Sequence, residues 1–173
     1  MPIAARRKLV VEEPCLRVPS LIFTYKGPNP QNIYKEVKKL IPTVFKVDEG
    51  DIEEREFSWD RSTAEEKFKM TLNFVKDFDP NCYMEGVINI NGLTKPSKEF
   101  GKEGEATVEV EAKFRIEYPQ ETLWERSVFY NIYRRVFHRV HQKERAGYKR
   151  MCLELVNTFC DELRSYLNIL AAG

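Results

Sequence analysis

Residues that make chemistry legible in a sequence are scarce in this chain: two histidines, four cysteines and eight glycines in 173 residues, none of them arranged in a motif. There is no CxxC pair and no histidine at zinc-ligand distance from Cys15, Cys82, Cys152 or Cys160, so zinc-ribbon and thioredoxin-type readings fall away. Scattered thiols of this kind are expected to be reduced, buried and intracellular. There is no Gly-rich phosphate loop, no GxSxG elbow and no HExxH, so the linear signatures of nucleotide binding, ester hydrolysis and zinc proteolysis are missing. No apolar run approaches the roughly 18 residues of a membrane helix, and Met1–Glu13 has no signal-peptide core. With 28 Lys plus Arg against 27 Asp plus Glu, a net charge of +1 provides no whole-molecule attraction for nucleic acid or anionic lipid, so such binding would need a local patch. These absences predict a water-soluble, cytoplasmic protein without cofactor or metal, for which catalysis is the minority reading.

What is present is patterning. From Glu105 to Tyr118 the chain alternates without a break: Ala106, Val108, Val110, Ala112, Phe114, Ile116 and Tyr118 on one side, charged or polar residues on the other. That is a half-buried antiparallel strand. The same period runs through 67–78, with Phe68, Met70, Leu72 and Phe74 inward. It returns over 82–91, with Cys82, Met84, Ile88 and Ile90 inward and Gly86 interrupting the row at a bulge or close approach. Weaker strands are expected at 21–25 and 52–60, the latter with Phe57 and Trp59 on one face, and 92–104 reads as a long polar hairpin connection. Between the first two strands, Asn29 and Pro30 open a helix carrying Ile33, Val37, Leu40, Ile41 and Val44 on one face, which Pro42 should end or kink.

After residue 121 the period changes to 3.6. A single helix over 121–170 would be about 75 Å long, against about 40 Å across a compact chain of this size, so a break is expected within 142–147. Upstream lie Leu123, Trp124, Val128, Ile132, Val136, Phe137 and Val140. Downstream, Tyr148, Met151, Cys152, Leu155, Val156, Phe159, Leu163, Tyr166 and Leu167 form a stripe suited to lying across a sheet. The fold class is therefore α+β: an antiparallel meander of about five strands, an N-terminal helix and a long C-terminal amphipathic helix on one sheet face. It forms one domain over 21–170, after a partly flexible extension over 1–20.

This order, with Leu21-Ile-Phe-Thr-Tyr25 followed by Pro28-Asn-Pro-Gln-Asn-Ile-Tyr34 as opening strand and helix, resembles the START-like, or Bet v 1-like (SRPBCC), helix-grip superfamily. The resemblance covers roughly residues 21–170 at the level of element order. It implies a curved sheet gripping the C-terminal helix around an apolar cavity, in a superfamily that includes lipid and sterol carriers, hormone sensors, aromatic cyclases and chaperone activators. The helical segment 121–141 has no standard place in that pattern.

Three functional readings follow. In the first, a small apolar or amphipathic molecule binds in a cavity lined by Phe68, Met70, Leu72, Phe74, Met84, Ile88, Val110, Phe114, Ile116 and Tyr118 and closed by Tyr148, Cys152, Leu155 and Phe159. A filled core needs the same residues on the same face. It leads to the second reading, an interaction module that dimerises or docks a protein partner through helical segment 121–145. In the third, Arg134, Arg135, Arg139, Lys143, Arg145, Lys149 and Arg150 contact phosphates of nucleic acid or a membrane surface, unless they are only a solvated helix face. His138, His141 and Glu144 are spaced for a shared metal but lack a converging ligand from another element. Trp59 and Trp124 suit core or subunit anchors better than base-stacking platforms. The acidic run from Asp48 to Glu56 reads as solvated rather than as a convergent pair.

Overall fold

The computed structural model describes residues 8–62, 65–97, 101–119, 122, 124, 125 and 127–172, with the side chains of 8, 9, 97, 101, 119, 134, 137, 138 and 172 left out. The elements are β1 (Lys8–Pro14), β2 (Leu21–Pro28), α1 (Asn32–Phe45), a 3-10 turn (Glu49–Asp51), β3 (Glu53–Asp60), β4 (Glu66–Asp79), β5 (Cys82–Ser97), β6 (Gly101–Pro119), α2 (Val128–Val140) and α3 (Gln142–Ala172).

Six antiparallel strands form one open sheet in the order β1-β6-β5-β4-β3, with β2 also on β6. Because β5 occupies the other edge of β6 from Gly101 to Ile116, β1 (opposite 113–119) and β2 (opposite 103–110) must lie end to end on its free edge. One side of the sheet is apolar over the middle of β4, β5 and β6 and is covered by α1 and α3. The buried residues of α1 are Ile33, Val37, Ile41, Val44 and Phe45, and those of α3 include Cys152, Val156, Phe159, Leu163 and Leu167. The alternation over 105–118, 67–78 and 82–91 thus gives the sheet its inner face as expected.

Several local expectations are corrected. Residues 8–14, read as part of a partly flexible extension, form a sixth strand, since Val11 faces the same side as Ile116 and Leu9 pairs with Tyr118. The polar stretch 92–104 is mostly strand: β5 and β6 pair out to Ser97 and Gly101, and only 98–100, outside the described residues, separate them. Pro42 lies inside α1 rather than ending it. Burial of Val44 and Phe45 anchors the last turn, and Lys46, in the left-handed region at φ 56°, closes it by donating to the Pro42 carbonyl at 3.1 Å. The same helix starts later than Asn29 suggested, because Asn29 itself takes φ 49° in the preceding turn. The C-terminal helix breaks at His141, ahead of the expected segment, and Gly147 sits within α3 with open space around it.

Gly86 marks a close approach, and Gly92 repeats it. In the β4–β5 register Phe74 lies opposite Gly86 and Phe68 opposite Gly92, and each ring lies over the backbone of its glycine. This pairing of aromatic ring and bare backbone lets large side chains lie flat on the inner face. Above Phe74, the Phe45 ring lies at 4.4 Å between centroids, and Phe159 of α3 meets Phe45 at 5.5 Å. Three rings from sheet, α1 and α3 thus occupy the middle of the core.

Edge strand β3 is exposed and heavily charged, which discourages pairing with another chain. Its carboxylates have separate partners. Glu54 accepts from Lys38 and from Tyr34 at 2.8 Å, and Glu56 pairs with Lys69 at 2.9 Å. Trp59 is a structural anchor: its indole N–H donates to Glu66 at 2.9 Å, and Arg61 covers its ring at 4.4 Å. Lys102, donating to both oxygens of Glu66 at 2.8 Å, holds that carboxyl below its usual range, and the Trp59 hydrogen bond adds to the effect.

Candidate functional site

Twelve of the fourteen expected cavity residues are buried: Phe68, Met70, Leu72, Phe74, Met84, Ile88, Val110, Phe114, Ile116, Tyr118, Cys152 and Phe159. Tyr148 and Leu155 are partly buried, and Tyr148 stacks on Phe78 at 5.5 Å. They share one cluster with α1, whose Phe45 takes the central position described above. The helix's apolar face was legible in the sequence, but nothing there showed that its last residue would insert between Phe74 and Phe159.

A small cavity of about 190 Å³ does lie between sheet and α3, at the N-terminal end of the helix. Phe114 and Ile116 supply its apolar wall, and Glu13, Gln142, Arg145, Ala146 and Lys149 supply the rest. Glu13 points inward because it lies opposite Phe114 in the β1–β6 register, and it pairs with Lys149 at 2.9 Å. Arg145 is 8% exposed, with its guanidinium 5.6 Å from the Tyr118 ring centroid. Near it, the Cys82 thiol is pushed up to about 12, mainly by burial and further by its hydrogen bond to Asp79, with Arg145 opposing. A thiol so strongly protonated is no nucleophile at neutral pH.

The expected anion-binding cluster is divided by the fold. Arg145 and Lys149 turn toward the sheet, whereas Arg135, Arg139, Lys143 and Arg150 are exposed. The Arg134 side chain lies outside the described residues, as does that of His138. No group of three His, Cys, Asp or Glu among the described residues converges on a metal-holding geometry.

The cysteines require a second correction. Cys15, in the loop between β1 and β2, and Cys152 of α3 form a disulfide. The sequence separation of 137 gave no hint of it. The loop is fixed to β6, where the Cys15 N–H donates to the Ala112 carbonyl at 3.2 Å, and this sets Cys15 against the helix crossing the inner face. Cys82 and Cys160 are free and buried, with burial raising the Cys160 thiol to about 11.

Among the described residues, the largest group of exposed apolar side chains lies on α2. Ser127 caps this helix by accepting from the Tyr130 N–H at 3.1 Å. Val128, Phe129, Ile132, Tyr133, Val136 and Val140 are between 53% and 73% exposed, and Trp124, just ahead of the helix, is 58% exposed. With successive residues turned by about 100°, those six side chains fall within an arc of about 140°, with Arg135 just outside one edge of it and Arg139 just inside the same edge. Of the upstream apolar row read from the sequence, Trp124, Val128, Ile132, Val136 and Val140 thus face outward, while Leu123 and the Phe137 side chain lie outside the described residues. The reason is spatial: α1 and α3 already cover the inner face of the sheet. No helix among the described residues is long and apolar enough to cross a membrane.

No family model matches this chain, and no curated protein matches it. Among solved structures, a Staphylococcus aureus protein of unknown function, SA2116, is similar at 9% identity over 95% of this chain and 96% of that one, with a TM-score of 0.28. An uncharacterised protein from Rhizobium leguminosarum is similar at 9% identity over 94% and 98%, with a TM-score of 0.25. At these values neither likeness bears on fold or function.

Proposed function

We propose that this chain is a non-enzymatic docking module in which a filled α+β core displays α2 as its adhesive face. The observation that carries the reading is the row of large apolar side chains along α2, each more than half exposed. Monomeric proteins rarely leave so continuous an apolar face uncovered unless it binds something. The three-ring stack of Phe45, Phe74 and Phe159 supports the filled-core half of the proposal. The test is Phe129→Glu/Val136→Glu, compared with the parent by retention on phenyl resin and by light-scattering mass. Loss of retention or of self-association at an unchanged melting temperature is expected. Equal behaviour of the two proteins would refute the reading.

A second reading, binding of a small amphipathic molecule between sheet and α3, is favoured by the cavity beside Arg145. An apolar wall with a cation at its rim suits a carboxylate- or phosphate-headed molecule, and the START-like resemblance belongs with this reading. At about 190 Å³ the cavity is smaller than the roughly 300 Å³ at which ligand pockets usually begin, so it would hold a headgroup or a short chain rather than a whole lipid. A native mass spectrum of protein purified from its own host tests this. A species bound at one per chain and lost in Arg145→Ala supports it, and a bare chain counts against it.

A further inference from the structure

The charges around the α2 stripe narrow what can cover it. Between Glu125 and Glu144 the chain contains no acidic residue but carries Arg126, Arg134, Arg135, Arg139 and Lys143, while the whole molecule is balanced to +1. The element whose apolar side is uncovered thus carries three of these cations, Arg134, Arg135 and Arg139, and no acid, and Arg135 and Arg139 at the edge of the stripe are themselves exposed. We propose that α2 is an interfacial helix that seats this chain on an anionic lipid bilayer, an inference that rests on the docking reading above.

Such a helix lies in the plane of the membrane with its apolar side at the boundary between headgroups and acyl chains. Phe129, Ile132 and Val136 enter that boundary. Arg135 and Arg139 extend their heads back to lipid phosphates while their stems remain in the apolar layer. Trp124, amphipathic and exposed before the first turn, suits the headgroup level. Alternative occupants fit less well. In a second copy docked stripe to stripe with the helices antiparallel, two Arg135–Arg139 borders would be brought together in a desolvated seam, where like charges oppose association. A nucleic-acid backbone would use the arginines but leave Val128, Ile132, Val136 and Val140 in water.

The test is flotation of the full chain with phosphatidylcholine vesicles, with and without phosphatidylglycerol. The parent should float with the phosphatidylglycerol vesicles, stay behind with phosphatidylcholine alone, and be released as salt rises. Phe129→Glu/Val136→Glu should lower the bound fraction by about tenfold or more, and Arg135→Glu/Arg139→Glu should remove the preference for phosphatidylglycerol. All four positions are exposed, so unchanged melting temperatures are expected to show that the variants fold. Absence of flotation with phosphatidylglycerol vesicles, or full binding by Phe129→Glu/Val136→Glu, overturns the proposal. Native mass spectra of the same samples separate the two levels of inference. A dimer that Phe129→Glu/Val136→Glu splits, without flotation, overturns the bilayer and preserves the docking reading, whereas a monomer that does not float and is retained on phenyl resin no more than Phe129→Glu/Val136→Glu overturns both.

Discussion

Replacing Gly86 by alanine adds one methyl group to a strand and should be among the most damaging small changes available. A Cβ there would overlap the Phe74 ring, and even the third-nearest ring atom would lie only 2.8 Å away. The ring cannot swing into water, because Phe74 is 2% exposed and Phe45 lies over it at 4.4 Å. Overpacking a well-filled core costs about 1–3 kcal/mol and sometimes more, and a ring trapped between backbone and a second ring belongs at the upper end. At roughly 2–4 °C per kcal/mol for a chain of this size, a loss of about 3 kcal/mol lowers the melting temperature by about 6–12 °C. Gly50 and Gly147, which have nothing within 4 Å of an added Cβ, are the controls. Gly50→Ala should change stability by less than about 0.5 kcal/mol, and Gly147→Ala, inside α3, should raise it by up to about 1 kcal/mol. Thermal unfolding followed by circular dichroism measures all three. In a Phe74→Leu background the additional cost of Gly86→Ala should shrink below about 1 kcal/mol, because the conflicting ring is gone. If Gly86→Ala behaves like Gly50→Ala, or its cost is unchanged in Phe74→Leu, the ring-over-backbone account of the sheet is wrong.

Phe159→Ala removes the α3 member of the ring stack and should cost about 3–5 kcal/mol, measured by urea unfolding; a cost under 1 kcal/mol would mean that this part of the core is hollow. Thiol titration of the native protein should find almost no fast-reacting groups, because Cys82 and Cys160 are buried with thiols raised to about 12 and 11. Denaturation should release two thiols and subsequent reduction four, whereas four in unreduced protein would contradict the Cys15–Cys152 bond. On the acid side, Glu54 and Glu66 are held below their usual range by Lys38 and Lys102 respectively. A depressed carboxyl contributes stability that is complete above its unfolded value near 4.5 and is lost as pH falls through the lower folded value. The melting temperature should therefore drop below about pH 4.5, and Glu54→Gln or Glu66→Gln should flatten that drop; an unaltered acid limb would refute the assignment.

The inner face of the sheet was legible because β4, β5 and β6 alternate with an unbroken period of two, and the wide stripe of α3 was legible for the analogous reason. What escaped depends on contacts distant in sequence. Lys8–Pro14 is a strand only because the edge of β6 is long enough to hold both β1 and β2. Cys15 and Cys152 meet only once that edge is placed beside α3. Met151, assigned to the α3 stripe by spacing, is nearly half exposed, because it lies about 100° around the helix from the buried Cys152. The α2 stripe shows the limit most clearly: periodicity reports that a face is apolar, and whether it is covered depends on how much of the sheet α1 and α3 have already taken. The anion-binding residues likewise form one run in sequence but divide between the sheet side and solvent, because Arg145 and Lys149 share a face of α3 with buried Cys152 at i, i+4 and i+7, whereas Lys143 and Arg150 lie on the opposite face.

Hydrogen exchange across the whole chain, free and in the presence of phosphatidylglycerol vesicles, tests the central claim most directly. The account predicts that protection rises over 128–140 and in the turn before it, while the sheet and the C-terminal half of α3 exchange as in the free protein. Unchanged exchange in α2, accompanied by new protection in β5, β6 and α3, would place binding inside the core and contradict the docking account.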